Sequence, residues 1–137
     1  RFVRLFSHST SSFFITNLRP PIRKVEKSGL FERLYAPALD MTNAFLAAKV
    51  IFCNEMYDIA ASCGISYEET RRLWLADGRI GESHTRVFPD DRGYGGSCFP
   101  KDVRSLLFTA QSAGLPLHQL KGTQWQNAVY HEEEKRV

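Results

Sequence analysis

The chain is short of several things, and each shortage excludes a class of protein. No run of apolar residues approaches the roughly 20 needed to cross a bilayer as a helix, so no membrane-embedded role is expected. Cysteine is scarce. Cys53, Cys63 and Cys98 are odd in number and show no C-x-x-C spacing, which argues against a disulfide framework or a metal site and suits reduced thiols in a cytoplasmic compartment. Acid is almost missing from the start of the chain. Residues 1 to 27 hold six Arg or Lys against Glu26 alone, +5 in a chain of net +3, so the remainder carries −2. The basic excess belongs to that segment. Elsewhere Lys and Arg are interspersed with acids, and no nucleic-acid surface is expected. A G-x-G-x-x-G turn is also absent, so no cradle for a dinucleotide pyrophosphate is visible.

What is present suits one soluble domain, since 43% hydrophobic residues in a chain of 137 can build one buried core. The N-terminal segment is the least readable part. Arg1-Phe2-Val3-Arg4-Leu5-Phe6, a Ser/Thr cluster and Arg19-Pro20-Pro21 have the composition of an organelle transit peptide, but without an initiating methionine. The ragged end of a fragment, or a faulty gene model, fits as well, and a loosely packed extension is the expectation. A short strand around Phe13 to Thr16 is expected within it. Leu30 to Pro37 reads as a short helix stopped before its proline.

From about Met41 to Cys63 the pattern predicts a long helix. Leu46, Val50, Cys53, Tyr57 and Ala60 alternate steps of four and three, and Phe45, Ala47, Ile51, Met56 and Ile59 widen the apolar surface. Asp40 or Thr42 would cap it and Gly64 would end it. One face would meet the chain's own helices and the other a second subunit. Ser66-Tyr67-Glu68-Glu69 has capping-box form, opening a helix to about Ala76 that buries Leu73 and Trp74. Glu82 to Arg92 lacks helical period and reads as loop. A third helix from Pro100 to Ala113 stops at Gly114, and a last one from about Leu117 turns Leu120, Trp125, Ala128 and Val129 inward. The fold expected is all-α, a bundle of about four helices around one long spine helix, with residues 41 to 137 as its domain.

One stretch carries chemistry: Arg92-Gly93-Tyr94-Gly95-Gly96-Ser97-Cys98-Phe99-Pro100-Lys101-Asp102. Its glycines permit positive φ and close approach of a ligand. Cys98 is expected just ahead of a helix, where unpaired N–H groups, the helix dipole and Lys101 favour a thiolate. Asp102, four residues on, can face the same pocket and handle protons or water. Spacing alone leaves blander readings open: an ordinary glycine turn, an aspartate compensating the dipole, an inert cysteine. Likewise Asn43 can be a helix cap, Arg79 a solvated charge, His84 an exposed loop histidine, and Lys49 an interface residue with its stem laid along apolar surface.

Tyr94 to Asp102 resembles the catalytic-cysteine motif of the UDP-glucose/GDP-mannose 6-dehydrogenase family. Asn43-Ala44-Phe45-Leu46-Ala47-Ala48-Lys49, Asn54-Glu55 and Arg79-Ile80-Gly81 resemble that family's central helical domain in the same order. Leu30 to Pro37 is similar to the last helix of its nucleotide-binding domain. Residues 1 to 40 then read as the remnant of a truncated NAD-binding domain, with a piece missing between Pro37 and Asn43.

The resemblance implies oxidation of a nucleotide sugar's C6 alcohol to a carboxylate with two NAD⁺, through a thiohemiacetal and a thioester. Cys98 would be the nucleophile, Asp102 the residue that orients or deprotonates water, and Asn43 an oxyanion donor. Arg79 would reach the sugar substrate of a partner subunit in a homodimer, and Tyr94, Gly95 and Gly96 would line the sugar pocket. Arg79-Ile80-Gly81 favours UDP-glucose over GDP-mannose. Two departures stand out. Leu39 occupies the place of a catalytic lysine, and leucine neither donates nor titrates. The family's C-terminal nucleotide-binding domain is also missing. The alternative expectation is therefore a non-catalytic helical dimerisation module.

Overall fold

The computed structural model describes the backbone of residues 30–134 and the side chains of residues 37–132. The expectations placed on residues 1–29, including the strand around Phe13 to Thr16, lie outside the described residues. Four helices follow one another: α1 (Leu30–Ser62), α2 (Tyr67–Trp74), α3 (Cys98–Ser112) and α4 (His118–Glu134). Between α2 and α3 the chain runs as a loop with one isolated bridge, Phe88 to Asp91. The all-α reading around a long spine holds.

The spine is longer than its periodicity indicated. α1 is one helix of 33 residues with Pro37 inside it, about 50 Å at 1.5 Å per residue. The separate short helix ending at Pro37 and the new start at Asp40 or Thr42 are both corrected. Pro37 forgoes one backbone bond, a local cost of about 3 kcal/mol, but Ala36, Ala38, Leu39 and Met41 around it are strong helix formers. Thr42 does not cap. Its hydroxyl donates to Ala38 O at 2.9 Å, inside the helix. Leu39 and Asn43 therefore lie one turn apart on a continuous helix.

The stops behave as read. Gly64 (φ 69°) and Gly114 (φ 70°) take the left-handed conformation. Behind them Ile65 N–H reaches Ala60 O at 3.0 Å and Leu115 N–H reaches Ala110 O at 2.8 Å, closing α1 and α3 with the same glycine motif. At the start of α2, Ser66 Oγ accepts from Glu69 N–H at 3.3 Å.

The buried face of α2 differs from expectation. Leu73 is 79% exposed, whereas Arg71 is 3% exposed. Arg71 and Trp74 share a face, and Leu73, two residues from Arg71, lies about 200° around the helix from it. The buried guanidinium is matched on each side: Nε donates to Thr85 Oγ1 (2.8 Å), one terminal nitrogen to Glu68 (2.9 Å), the other to Glu82 (3.0 Å). A buried charge is tolerated when so paired.

Ala44, Ala47 and Ile51 of α1, Tyr94 of the loop, Val103 of α3 and Tyr130 of α4 form the core, with Phe99, Leu106 and Leu107 against it. The alanines let α3 approach the spine closely. α4 also departs from its predicted face: Trp125 is 66% exposed, while Thr123, Asn127 and Tyr130 are buried. Asn127 and Tyr130 find hydrogen-bond partners there, in the Tyr94 peptide and Asp58. On the far side of α1, Met41, Phe45, Phe52 and Ile59 remain exposed. Phe52, Met56, Ile59, Ile65 and Trp74 line an apolar groove of about 280 Å³ between α1 and α2. Among the described residues no helix is long and apolar enough to cross a membrane.

Tyr130 Oη donates to Asp58 Oδ2 at 2.9 Å. Burial first, and this bond second, push the phenol up to about 12, against an unfolded value of about 10. Its proton is then kept by the folded state where the unfolded chain has lost it, so the contribution is whole below about pH 10 and lost as pH rises toward about 12. Denaturation midpoints measured across this window should fall with pH. Tyr130→Phe should flatten the fall, leaving the share due to Tyr67 and Tyr94, which burial also shifts upward.

Candidate functional site

The site is built where the glycine-rich loop enters α3. Cys98 is the first residue of α3 and Ser97 its cap, so the helix starts two residues earlier than Pro100 suggested. Pro100 becomes the third helical residue, where its missing N–H is still among those with no partner within the helix. Cys98 thus sits among free N–H positions as expected, though inside the helix. Its thiol is exposed, and its Sγ lies 3.7 Å from Ser97 Oγ.

Asp102 lies one turn further on, on the same face as Cys98, and is 3% exposed. Its Oδ2 accepts a hydrogen bond of 2.6 Å from Asn43 Nδ2 on α1. Its Oδ1 lies 3.1 Å from Lys101 Nζ. That charge contact lacks hydrogen-bond alignment, and Oδ1 remains a buried acceptor with no hydrogen-bond partner. Pairing with this carboxylate raises the Lys101 pKa. Asn43 is not a helix cap, because α1 has already run through thirteen residues before it. An amide carries two N–H donors, so one can hold Asp102 while the other serves a ligand.

The loop is anchored residue by residue. Arg92 donates to Asn54 Oδ1 (2.6 Å), Asn54 O (3.1 Å) and Asp58 Oδ1 (2.7 Å). Its guanidinium also lies over the rings of Tyr57 and Tyr130, 4.9 and 4.6 Å from their centres. Tyr94 is buried, its N–H donating to Asn127 Oδ1 (2.6 Å) and its carbonyl accepting from Asn127 Nδ2 (3.0 Å). Phe99 meets the Tyr94 ring edge-on and has His84 on another side. His84 is exposed, takes a φ of 61°, and has its pKa lowered by partial burial and by the charge of Lys49.

The glycines divide by role. Gly93 (φ 81°) is forced, because a Cβ there would stand 2.5 Å from Asn127 Oδ1. Gly96 (φ 74°) needs its left-handed backbone. Gly95 needs neither: its φ is not positive, and a Cβ would meet no protein atom within 4 Å.

Asn43, Asp102, Cys98 and the Tyr94 to Gly96 backbone are thus drawn to one end of α3. Arg79 is not drawn in with them. Its side chain is 88% exposed and paired with Asp77 at 2.5 Å, which lowers the Asp77 pKa and raises that of Arg79. Lys49, read as an interface residue, is half-buried and donates to Gly81 O at 2.5 Å, tying the 79–81 turn to the spine; burial lowers its pKa. Sequence reasoning missed Arg92, Asn127 and Arg71. The available signal was a polar residue on an inward register: Asn127 continues the 123, 127, 130 stripe of α4.

Residues 40–128 match the central domain of the UDP-glucose/GDP-mannose dehydrogenase family. This chain belongs to that family. It is 44% identical over 86 residues to a UDP-glucose 6-dehydrogenase of Pseudomonas aeruginosa, a match covering 63% of this chain and 18% of the relative. It is 42% identical over 81 residues to one of Rhizobium meliloti, covering 59% and 18%. A third, UDP-glucose 6-dehydrogenase TuaD of Bacillus subtilis, is 40% identical over 74 residues, covering 54% and 15%. The chain therefore spans less than a fifth of these relatives' length. Family membership brings NAD into question, and the residues present do not fit it. The chain has no G-x-G-x-x-G turn, and the described residues form helices with no sheet edge to cradle a pyrophosphate.

Alanine scanning of the glycines should separate their roles. Gly93→Ala should destabilise by on the order of 2 kcal/mol, seen as a lower denaturation midpoint. Gly95→Ala should leave the midpoint unchanged.

Proposed function

We propose that this chain is the cysteine-bearing central segment of an NAD-dependent UDP-glucose 6-dehydrogenase, and that its own residues perform the acyl half of the reaction. The observation that carries this is the buried Asp102 carboxylate, held by Asn43 on one oxygen and met on the other by the Lys101 ammonium without a hydrogen bond, one turn from an exposed Cys98. Cys98 sulfur is placed to bear the C6 carbon of the sugar as a thioester, and the residues around it act on that acyl group. Asp102 Oδ1 accepts a proton from water as the water oxygen bonds to the thioester carbonyl carbon. The C–S bond then breaks, sulfur leaves with its electron pair, and the carboxylate is released. Asn43's second N–H is suited to the carbonyl oxygen as charge develops on it. The dinucleotide supplies hydride acceptance when bound, and the residues for it are not those described here. UDP-glucose is the substrate favoured by the Arg79-Ile80-Gly81 turn and by the names of the relatives. The open space over Gly95 and Gly96 suits close approach of a sugar to the backbone.

A homodimer through α1 belongs to the same reading. Met41, Phe45, Phe52 and Ile59 form an exposed apolar face on the spine, and contiguous apolar patches commonly mark interaction surfaces. Arg79, directed outward, is available to a partner's substrate. A second reading, a non-catalytic helical dimerisation module, is favoured by Leu39, which stands half-buried one turn before Asn43 where the family's lysine is expected.

Two experiments test these readings. p-Nitrophenyl acetate acetylates a reactive thiol and leaves a thioester that water must cleave. With Cys63→Ser as background, acetylation should map to Cys98, and Asp102→Asn should slow deacetylation by on the order of 100-fold. Equal deacetylation with and without Asp102, at the rate of a free acetyl thiol, would sink the acyl reading and leave the dimerisation module. Sedimentation should give twice the 15.7 kDa chain mass, and Phe45→Glu with Phe52→Glu should give the single mass.

A further inference from the structure

We infer that Asn127, on α4, is a positioning residue for Cys98, acting through the peptide groups of Tyr94. The inference rests on the proposed reading of Cys98 as the acyl-bearing nucleophile and extends it to a residue outside the motif.

Tyr94 is buried in the core, so both its N–H and its C=O need partners there. A single side chain supplies both. Asn127 Oδ1 accepts from Tyr94 N–H at 2.6 Å, and Asn127 Nδ2 donates to Tyr94 O at 3.0 Å. The carboxamide has the same donor and acceptor spacing as a peptide group, so it pairs with Tyr94 as a neighbouring strand would, in a region where no strand is formed. His131, one turn further along α4, brings Nε2 to 3.0 Å from the same carbonyl oxygen.

The fit extends to the preceding residue. Asn127 Oδ1 occupies the space that a Cβ at residue 93 would take, at 2.5 Å, so Gly93 and Asn127 are sterically coupled. Beyond Tyr94 only Gly95, Gly96 and Ser97 separate the clamp from Cys98. With Tyr94 fixed on α4 and Arg92 fixed on α1, the chain enters α3 from a defined point, and the first turn of α3 is held closed. Free backbone N–H groups in a helix's first turn favour a nearby anion, and Cys98 is the first residue of α3. Releasing Tyr94 would fray the turn, withdraw those groups and misalign Cys98 with Asp102.

The test uses the full chain, peptide-resolved alkylation by iodoacetamide, and hydrogen exchange. Cys63, exposed just past the end of α1, is the internal control for thiol reactivity. Asn127→Ala removes the clamp. Asn127→Asp keeps an acceptor for Tyr94 N–H but sets a carboxylate oxygen against Tyr94 O, and protects against a variant that fails to fold. Exchange of the Tyr94 amide should rise at least about tenfold in Asn127→Ala and the Cys98 alkylation rate should fall about tenfold. Asn127→Asp should lower it in the same direction, with Cys63 alkylation and exchange in α1 unchanged in both. Gly93→Ala should slow Cys98 on its own, and by less once Asn127→Ala has removed the colliding oxygen, the left-handed φ of 81° leaving a remainder. Wild-type Cys98 alkylation in Asn127→Asp would overturn the inference, as would strict additivity of the Gly93 and Asn127 changes. Alkylation needs no acyl chemistry, so failure of the Asp102 experiment would strike the proposed function without deciding the clamp.

Discussion

The hydrogen bond from Asn43 to Asp102 is the constraint on which the rest of the molecule turns. A buried carboxylate is costly unless it is matched by donors or charge, and Asp102 lies where α3 packs on the spine. Asn43 meets it from α1 at 2.6 Å and Lys101 stands beside it. A shift of α3 along α1 by one residue would separate this pair and move Val103 off Ala44 and Ala47. The same bond therefore sets the helix register and aims the remaining carboxylate oxygen. Stability and chemistry depend here on one contact.

Polar joints elsewhere do work that so small a core does not. The segment from α2 to α3 forms no ladder, yet it is buried at Thr85 and Tyr94, and buried peptide groups need partners. They come from long side chains on the helices. Arg71 and Tyr67 reach Thr85, Lys49 reaches Gly81, and Asn127 reaches Tyr94. Arg92 runs the other way, from loop to spine. The loop is thereby held at several points along its length by helices that are themselves close-packed, which is how an irregular segment can keep a reactive group in place.

Features that depend on near neighbours in sequence could be read without the structure. The spine's apolar pattern, the Ser66 cap, the glycine stops at Gly64 and Gly114, and the one-turn spacing of Cys98 and Asp102 are all local. Misreadings arose where a distant partner decided the outcome. Pro37 marks a stop by local rules, but the good helix formers on both sides of it carry α1 through. Leu73 and Trp125 look like core residues and Arg71 and Asn127 look like surface ones; the reverse holds because Thr85, Glu82 and the Tyr94 peptide lie where those polar groups can reach them. Asn43 looks like a cap for the same reason, since its partner is 59 residues away. Motif spacing brought out Cys98 and Asp102; the residues that hold them in place had no motif.

Several features of the chain have no explanation inside it. Asp102 Oδ1 is buried without a hydrogen bond, beside the exposed Lys101 ammonium at 3.1 Å. Gly95 is a glycine with no positive φ and no neighbour that requires one. Arg79 is held outward by Asp77, and the spine presents phenylalanines to solvent. Each is unfavourable or indifferent for stability taken alone, and a fold selected only for stability would have little reason to keep all four. They become consistent if the acceptor, the open glycine, the outward cation and the apolar face each meet matter supplied from elsewhere: a water and a sugar at the first two, a second copy at the others. The rigid end of α3 then holds the two groups that cannot be misplaced, and the surfaces around it are left open for what completes them.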